Sequence, residues 1–282
     1  MITILTDSTC DIPDELVAQY GIVVIPHIII WGNDQYRDRV DIQPEEFYRR
    51  LAVDPLRPTS SQADFSSFQK AYQLAAGQGA NEVLVLTVSS AMSGAYQMAQ
   101  NAAKTVEIPV HVVDSKGPTM SLGWQVLAAA RARDSGADIH TILARVDQVR
   151  QKLIQIVCLD TLEYLQRGGR MGEAARWVGG LLHVKPLVSI NHQTGVVQPL
   201  GLARTHKSAV EMMYSHFFNS LKGGKNLRVA VLHGNSPLQA EELAERIRAE
   251  FNPIELLINI TGPVLGMNTG PGALALCGYA ED

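Results

Sequence analysis

The chain has only three cysteines, Cys10, Cys158 and Cys277, which share no metal-ligand spacing and lie in or beside apolar runs. That pattern argues against a disulfide framework or a zinc site and fits buried free thiols in a reducing cytoplasm. No stretch approaches the roughly 18 consecutive apolar residues that a membrane span requires. The opening Met1-Ile2-Thr3-Ile4-Leu5-Thr6-Asp7 lacks a basic region followed by a long apolar segment, so neither export nor membrane insertion is expected. Lys and Arg number 24 against 28 Asp and Glu, and they are scattered rather than striped, which speaks against a nucleic-acid partner. There is no Gly-x-x-x-x-Gly-Lys-Ser/Thr phosphate loop, and hence no sign of a self-sufficient kinase. No Gly-x-Ser-x-Gly elbow surrounds Ser93, whose flanks are Ala91-Met92 and Gly94-Ala95, so a serine hydrolase lacks its usual frame. Internal repeats and low-complexity linkers are also missing.

What is present is an alternation of strand and helix patterns over 282 residues, 46% of them hydrophobic, enough for one large or two ordinary domains. Apolar runs at 2–6, 23–30 (broken by Pro26), 82–88 and 110–113 read as strands. Between them, helices are expected after Asp11-Ile12-Pro13, after Asp41 as a cap with Pro44 in the first turn, after Asp64, and over 95–104, 120–133 and 139–152. The first half therefore predicts a doubly wound, mainly parallel α/β sheet over residues 1–152, with ligands at the carboxyl ends of its strands. Asp7, Ser93 and Asp114 fall on that edge.

From residue 153 the pattern changes. A strand at 154–159, a short helix stopped by Gly168-Gly169, a hairpin of 185–191 with 195–200, helices at 205–221 and 237–250, and strands at 227–232, 254–260 and 273–279 predict a smaller C-terminal α+β domain over 153–282. The stretch from Gly262 to Ala273, with four glycines and two prolines, is expected to be a shaped loop that brings bare backbone amides close to a ligand.

Two segments carry candidate polar contacts. Pro58-Thr59-Ser60-Ser61-Gln62 sets three hydroxyls in a row where proline keeps the chain extended. Ser89-Ser90-Ala91-Met92-Ser93-Gly94 joins a strand to a helix start, where free N–H groups and the helix dipole favour an anion. Ser90 and Ser93 either cap that helix or meet a ligand. Arg170, just beyond Gly168-Gly169, and Arg204, just after the hairpin, read equally as surface ion-pair partners or as contacts for an anion.

The order Asp7-Ser8, Pro58-Thr59-Ser60-Ser61-Gln62, Ser93-Gly94-Ala95-Tyr96-Gln97, Thr161-Leu162-Glu163-Tyr164-Leu165 with Arg167-Gly168-Gly169-Arg170, Lys185-Pro186, Arg204 with Lys207-Ser208-Ala209, His233-Gly234 and the terminal Gly-Pro-Gly run resembles the DegV family along the whole chain. That resemblance implies a non-enzymatic, two-domain protein with no cofactor. It holds a long-chain fatty acid with its tail buried and its carboxylate near the domain junction. Some members serve as the lipid-carrying subunit of bacterial fatty acid kinase, which implies an ATP-binding kinase subunit as partner. Carried over, the ligand contacts are Ser60, Ser61, Ser93, Gly94, Asn268 and Thr269, with Arg170 and Arg204 near the mouth to meet an acyl phosphate or the partner. The family usually has histidine where this chain has Asn268, and asparagine can donate a hydrogen bond but cannot carry a positive charge. The alternative is an enzyme subunit of the dihydroxyacetone-kinase type, related in fold, acting on a small ketone through His233 at a strand end.

Overall fold

The computed structural model describes residues 1–177 and 184–281 and arranges them around two sheets that face one another across a buried helix. The first half runs β1 (Ile2–Asp7), α1 (Asp14–Gln19), β2 (Val23–Ile25), β3 (Ile28–Trp31), β4 (Asp34–Arg37), α2 (Pro44–Val53), β5 (Thr59–Ser61), α3 (Phe65–Gly77), β6 (Glu82–Thr87), α4 (Ala95–Ala103), β7 (Val110–Asp114), α5 (Met120–Asp134) and α6 (Ile139–Lys152). The second continues as β8 (Ile154–Cys158), α7 (Glu163–Gly168), β9 (Lys185–Asn191), β10 (Val196–Ala203), α8 (His206–Ser220), β11 (Leu227–His233), α9 (Pro237–Phe251), β12 (Glu255–Ile260), α10 (Pro263–Thr269) and β13 (Leu274–Ala280).

Strands β2, β1, β6 and β7 lie side by side in that order, all parallel. Helices cover both faces, α3 and α4 on one and α5 on the other, which is why β6 reads as an almost unbroken apolar run. The larger sheet has the order β10-β9-β8-β13-β11-β12; β11 and β12 pair in parallel and the other neighbours antiparallel. Its side chains alternate faithfully. Leu274 and Leu276 of β13 join the core beneath α8 and α9, while Ala275, Cys277 and Tyr279 join the core shared with α5 and the first sheet. All three cysteines are free and buried.

Helix α5 is buried at every position from Met120 to Ala130 and has no polar face, as a helix between two sheets requires. Trp124 anchors it to the second sheet: its Nε1 donates to the Cys277 carbonyl at 3.1 Å, and its ring meets Tyr279 edge-on at 6.0 Å.

Three expectations are corrected. The run at 23–30 is two strands in different sheets, because at Pro26 the chain leaves the parallel sheet; β3 then pairs antiparallel with β4 and β5. The polar β4 carries no apolar alternation and gave no signal. Asp41 does not cap α2, whose flanking residue is Gln43; it instead accepts from Arg37 N, Nε and Nη2 at 2.8, 2.9 and 2.8 Å. The Gly/Pro stretch contains a helix, α10. Pro263 stands in the first turn, where a missing N–H costs nothing, and Gly270 at φ +78° ends the helix. Gly266 in its middle packs against Tyr48, whose hydroxyl would lie 2.5 Å from any Cβ there.

Replacing Trp124 by Ala removes the plug between the sheets. We expect a loss of about 3–5 kcal/mol in urea unfolding, the usual cost of deleting a fully buried aromatic; a loss below 1 kcal/mol would show that α5 does not hold the layers together.

Candidate functional site

A cavity lies between the carboxyl edge of the parallel sheet and the inner face of the six-stranded sheet. Thr9, His27, Val88, Ser93 and Thr119 reach it from segments that follow β1, β2, β6 and β7, the edge where an open α/β sheet places its ligands. Val157, Val188, Ile190, Val197, Leu232 and Ala275 form an apolar wall from the second sheet. The wall is continuous because alternate residues of each strand point the same way. Leu159 and Ala273 bring it up to α10, which contributes Asn268 and Thr269; from there β8 runs about 13 Å down to Gln155 at the other end.

Of the residues singled out in the sequence, Ser60, Ser93, Asn268 and Thr269 meet inside this cavity, and Arg170 lines its mouth. Ser60 is held by β5, opposite Ile29 of β3. Ser93 Oγ accepts from Ala95 N at 3.2 Å, so it steadies the start of α4 and also lines the cavity; Gly94 is the residue at the cap itself. A side chain at Gly94 would press on Gln62, 3.2 Å away. Asn268 Nδ2 donates to the Val264 carbonyl at 2.8 Å, while its Oδ1 is buried without a partner. Thr269 Oγ1 donates to the Leu265 carbonyl at 3.3 Å.

The others are placed differently. Ser61 is exposed, does not line the cavity, and donates to the Gln62 carbonyl. Ser90 is exposed, its N–H on Asp114. Arg170 stands exposed at the mouth, its Nε donating to the Met92 carbonyl at 3.2 Å and its Nη1 to that of Gly168. Arg204 is exposed at the end of β10 and is not among the cavity's lining residues. His233 accepts from Ser236 N at 3.2 Å, closing the turn into α9, and also stays out of the lining. Among the described residues no histidine is hydrogen-bonded to Ser93.

Behind the cavity's polar end sits a buried network of which the sequence marked only Asp7 and Ser8. Asp7 accepts from Val88 N at 2.7 Å, Thr9 N at 3.0 Å and Thr9 Oγ1 at 2.6 Å, so it braces two loops rather than facing the cavity. Ser8 Oγ donates to Asp38 at 2.7 Å and receives His27 N at 3.1 Å. Asp11 pairs with Arg39 at 2.7 Å and accepts Gly262 N at 2.9 Å, tying α10 to the first sheet. Burial raises the Asp11 carboxyl, against the pull of Arg39. Burial likewise pushes Asp38 up to about 7, although the Ser8 hydrogen bond and Arg39 oppose it. His27 and Thr9 gave only a weak signal, since each is a lone polar residue beyond an apolar run.

A family model described as an uncharacterised protein of the DegV family matches residues 1–281. A DegV domain-containing protein of Halalkalibacterium halodurans is 31% identical over 99% of both chains, and Protein DegV of Bacillus subtilis is 29% identical over 98% of both. Among solved structures, a fatty acid-binding DegV family protein from Thermus thermophilus superposes with a TM-score of 0.89 at 31% identity over 99% of both chains. The Bacillus subtilis DegV crystal structure, described as a fatty acid binding protein, gives 0.92 at 28% identity over 99% of both.

In the unfolded chain Asp38 releases its proton near pH 4, whereas folded it does so near 7. Over that window the folded protein holds the extra proton, so the Asp38 contribution to stability falls as pH rises from about 4 to 7 and then levels off. Thermal melts of Asp38→Asn between pH 4.5 and 7.5 are expected to show a shallower fall than the unmodified protein. Parallel curves would mean that Asp38 ionises normally.

Proposed function

This chain belongs to the DegV family, and on that premise we propose that it binds a long-chain fatty acid, tail along the apolar wall and carboxylate among Ser60, Ser93, Asn268 and Thr269. The observation that carries the reading is the division within one cavity: an apolar wall built from the inner face of one sheet, and a cluster of hydroxyl and amide groups where the two halves of the chain meet. The halves, 1–152 and 153–282, are taken as the two domains. Solved relatives described as fatty acid-binding proteins support the ligand class.

Affinity and selectivity then come from different ends. Burying roughly fourteen methylenes at about 0.8 kcal/mol each contributes on the order of 11 kcal/mol before ordering costs, so the tail dominates. Hydrogen bonds to a charged carboxylate add about 1.5–3 kcal/mol each, which favours an acid over its ester.

Within the same reading, the bound acid is presented to a separate ATP-dependent fatty acid kinase. Arg170, exposed at the cavity mouth, is the basic contact that supports this step, and Arg204 is proposed as a second. The kinase-type alternative centred on His233 has no comparable support, since that ring serves the turn before α9.

Ser93→Ala is expected to weaken palmitate or oleate binding about ten- to a hundredfold in calorimetric titration while the protein still folds, the cost of one charge-assisted hydrogen bond; unchanged affinity would remove Ser93 from the site. Charge reversal of Arg170 and Arg204 together is expected to abolish docking to a cognate kinase, and intact docking would contradict the delivery step.

A further inference from the structure

Of the described residues lining the cavity, only His27 and Arg170 can carry positive charge, and Arg170 is exposed at the mouth. His27 is 3% exposed. Its Nε2 is buried without a hydrogen-bond partner; the Asp7 carboxylate, at 3.8 Å, is too far to accept from it and already has three donors. Its backbone is fixed on both sides, N–H to Ser8 and carbonyl from Asp38 N at 2.9 Å, so the ring is held at the cavity's polar end. A buried polar group left unsatisfied is costly and calls for an explanation. We propose that His27 is the residue that meets the charged head of the bound ligand, supplying the titratable imidazole that Asn268 does not. The proposal rests on the fatty-acid reading and extends it.

The electrostatics of the pocket are consistent with this role. The surrounding lining groups, Thr9, Ser60, Ser93, Asn268 and Thr269, are all neutral, so an ionised carboxylate entering there would be a buried charge without a counter-charge. Burial keeps the empty imidazole neutral, while Asp7 favours its charged form. Asp38, Asp11 and Arg39 lie in the network behind it. An arriving carboxylate adds a second negative neighbour, and the ring takes a proton from solvent to become an imidazolium between the two. One N–H bond forms at Nε2 or Nδ1 as a buffer acid in solution gives up its proton, and the conjugate base of that buffer stays in solvent.

The test is calorimetric titration of palmitate at pH 8 in buffers of different ionisation enthalpy, for the unmodified protein and for His27→Gln. The unmodified protein is expected to take up close to one proton per acid bound, and His27→Gln none, with at least tenfold weaker binding of the acid and unchanged binding of hexadecanol. Equal proton uptake in both would overturn the proposal, because the proton would then reside on the acid or elsewhere. Should His27→Gln not fold, nitrogen-15 spectra of the eight histidines in the unmodified protein decide instead: one ring passing from neutral to protonated on adding palmitate supports the role, and eight unchanged rings refute it. A protein that takes up neither acid nor alcohol would overturn the fatty-acid reading itself, and this assignment with it.

Discussion

The buried ion pair between Asp11 and Arg39 fixes the geometry on which the site depends. Asp11 follows β1, Arg39 follows β4, and together they hold the entrance to α10: Asp11 Oδ1 accepts Gly262 N, Arg39 Nη2 donates to the Ile260 carbonyl, and Asn259 Nδ2 donates to the Asp11 carbonyl at 2.9 Å. Three segments far apart in sequence are thus locked at one point. A charge pair this deep stabilises little in net terms, but losing one partner leaves the other stranded, at a cost of about 3–5 kcal/mol. Its consequence is positional. It sets α10, and with it Asn268 and Thr269, opposite the loops that carry Ser93, Thr9 and His27.

The second constraint is helix α5. Because it separates the sheets, they cannot close on one another, and the space beyond its first turn remains as the cavity beside Thr119. The deep end is sealed by polar groups that satisfy each other. Gln155 Nε2 donates to Thr119 Oγ1 at 3.1 Å, Gln155 Oε1 accepts from Ser121 Oγ, and Ser121 Oγ lies 2.7 Å from His192 Nε2, whose ring is pushed down to about 4 by burial. These groups need no ligand, in contrast to the unpaired Nε2 of His27 and Oδ1 of Asn268 at the other end. Polar groups close both ends of the cavity, but among the described residues only one end has unmet hydrogen-bonding capacity.

Most of the fold was legible because it rests on local signals. Apolar runs marked β1, β6, β7 and β11, Asp64 capped α3 through Ser67 N at 2.8 Å, and the boundaries of α6 coincide with those read from the sequence. What escaped notice depended on distant partners. The polar strand β4 exists because β3 offers it an edge, not because of its own composition. Helix α10 has the composition of a loop, and only the positions of its glycines and prolines mark it as a helix: Pro263 at its start and Gly270 at its end are boundary signals, and Gly266 is required by Tyr48. In the site, family resemblance pointed to Ser60, Ser61, Ser93, Gly94, Asn268 and Thr269, of which Ser61 and Gly94 stay out of the cavity lining while Ser60, Ser93, Asn268 and Thr269 share one cavity. His27 carries only a weak signal, since a single histidine after a proline has no periodicity, and the fold reveals that it is buried, without a hydrogen bond at Nε2, and beside them.

The central claim is that this cavity holds one long-chain fatty acid. Native mass spectrometry of the purified protein, followed by organic extraction and identification of what it carries, addresses that directly, because a buried lipid commonly survives purification. One fatty acid per chain, or stoichiometric uptake of added palmitate or oleate, is expected. A protein that is consistently empty and takes up neither acid would contradict it.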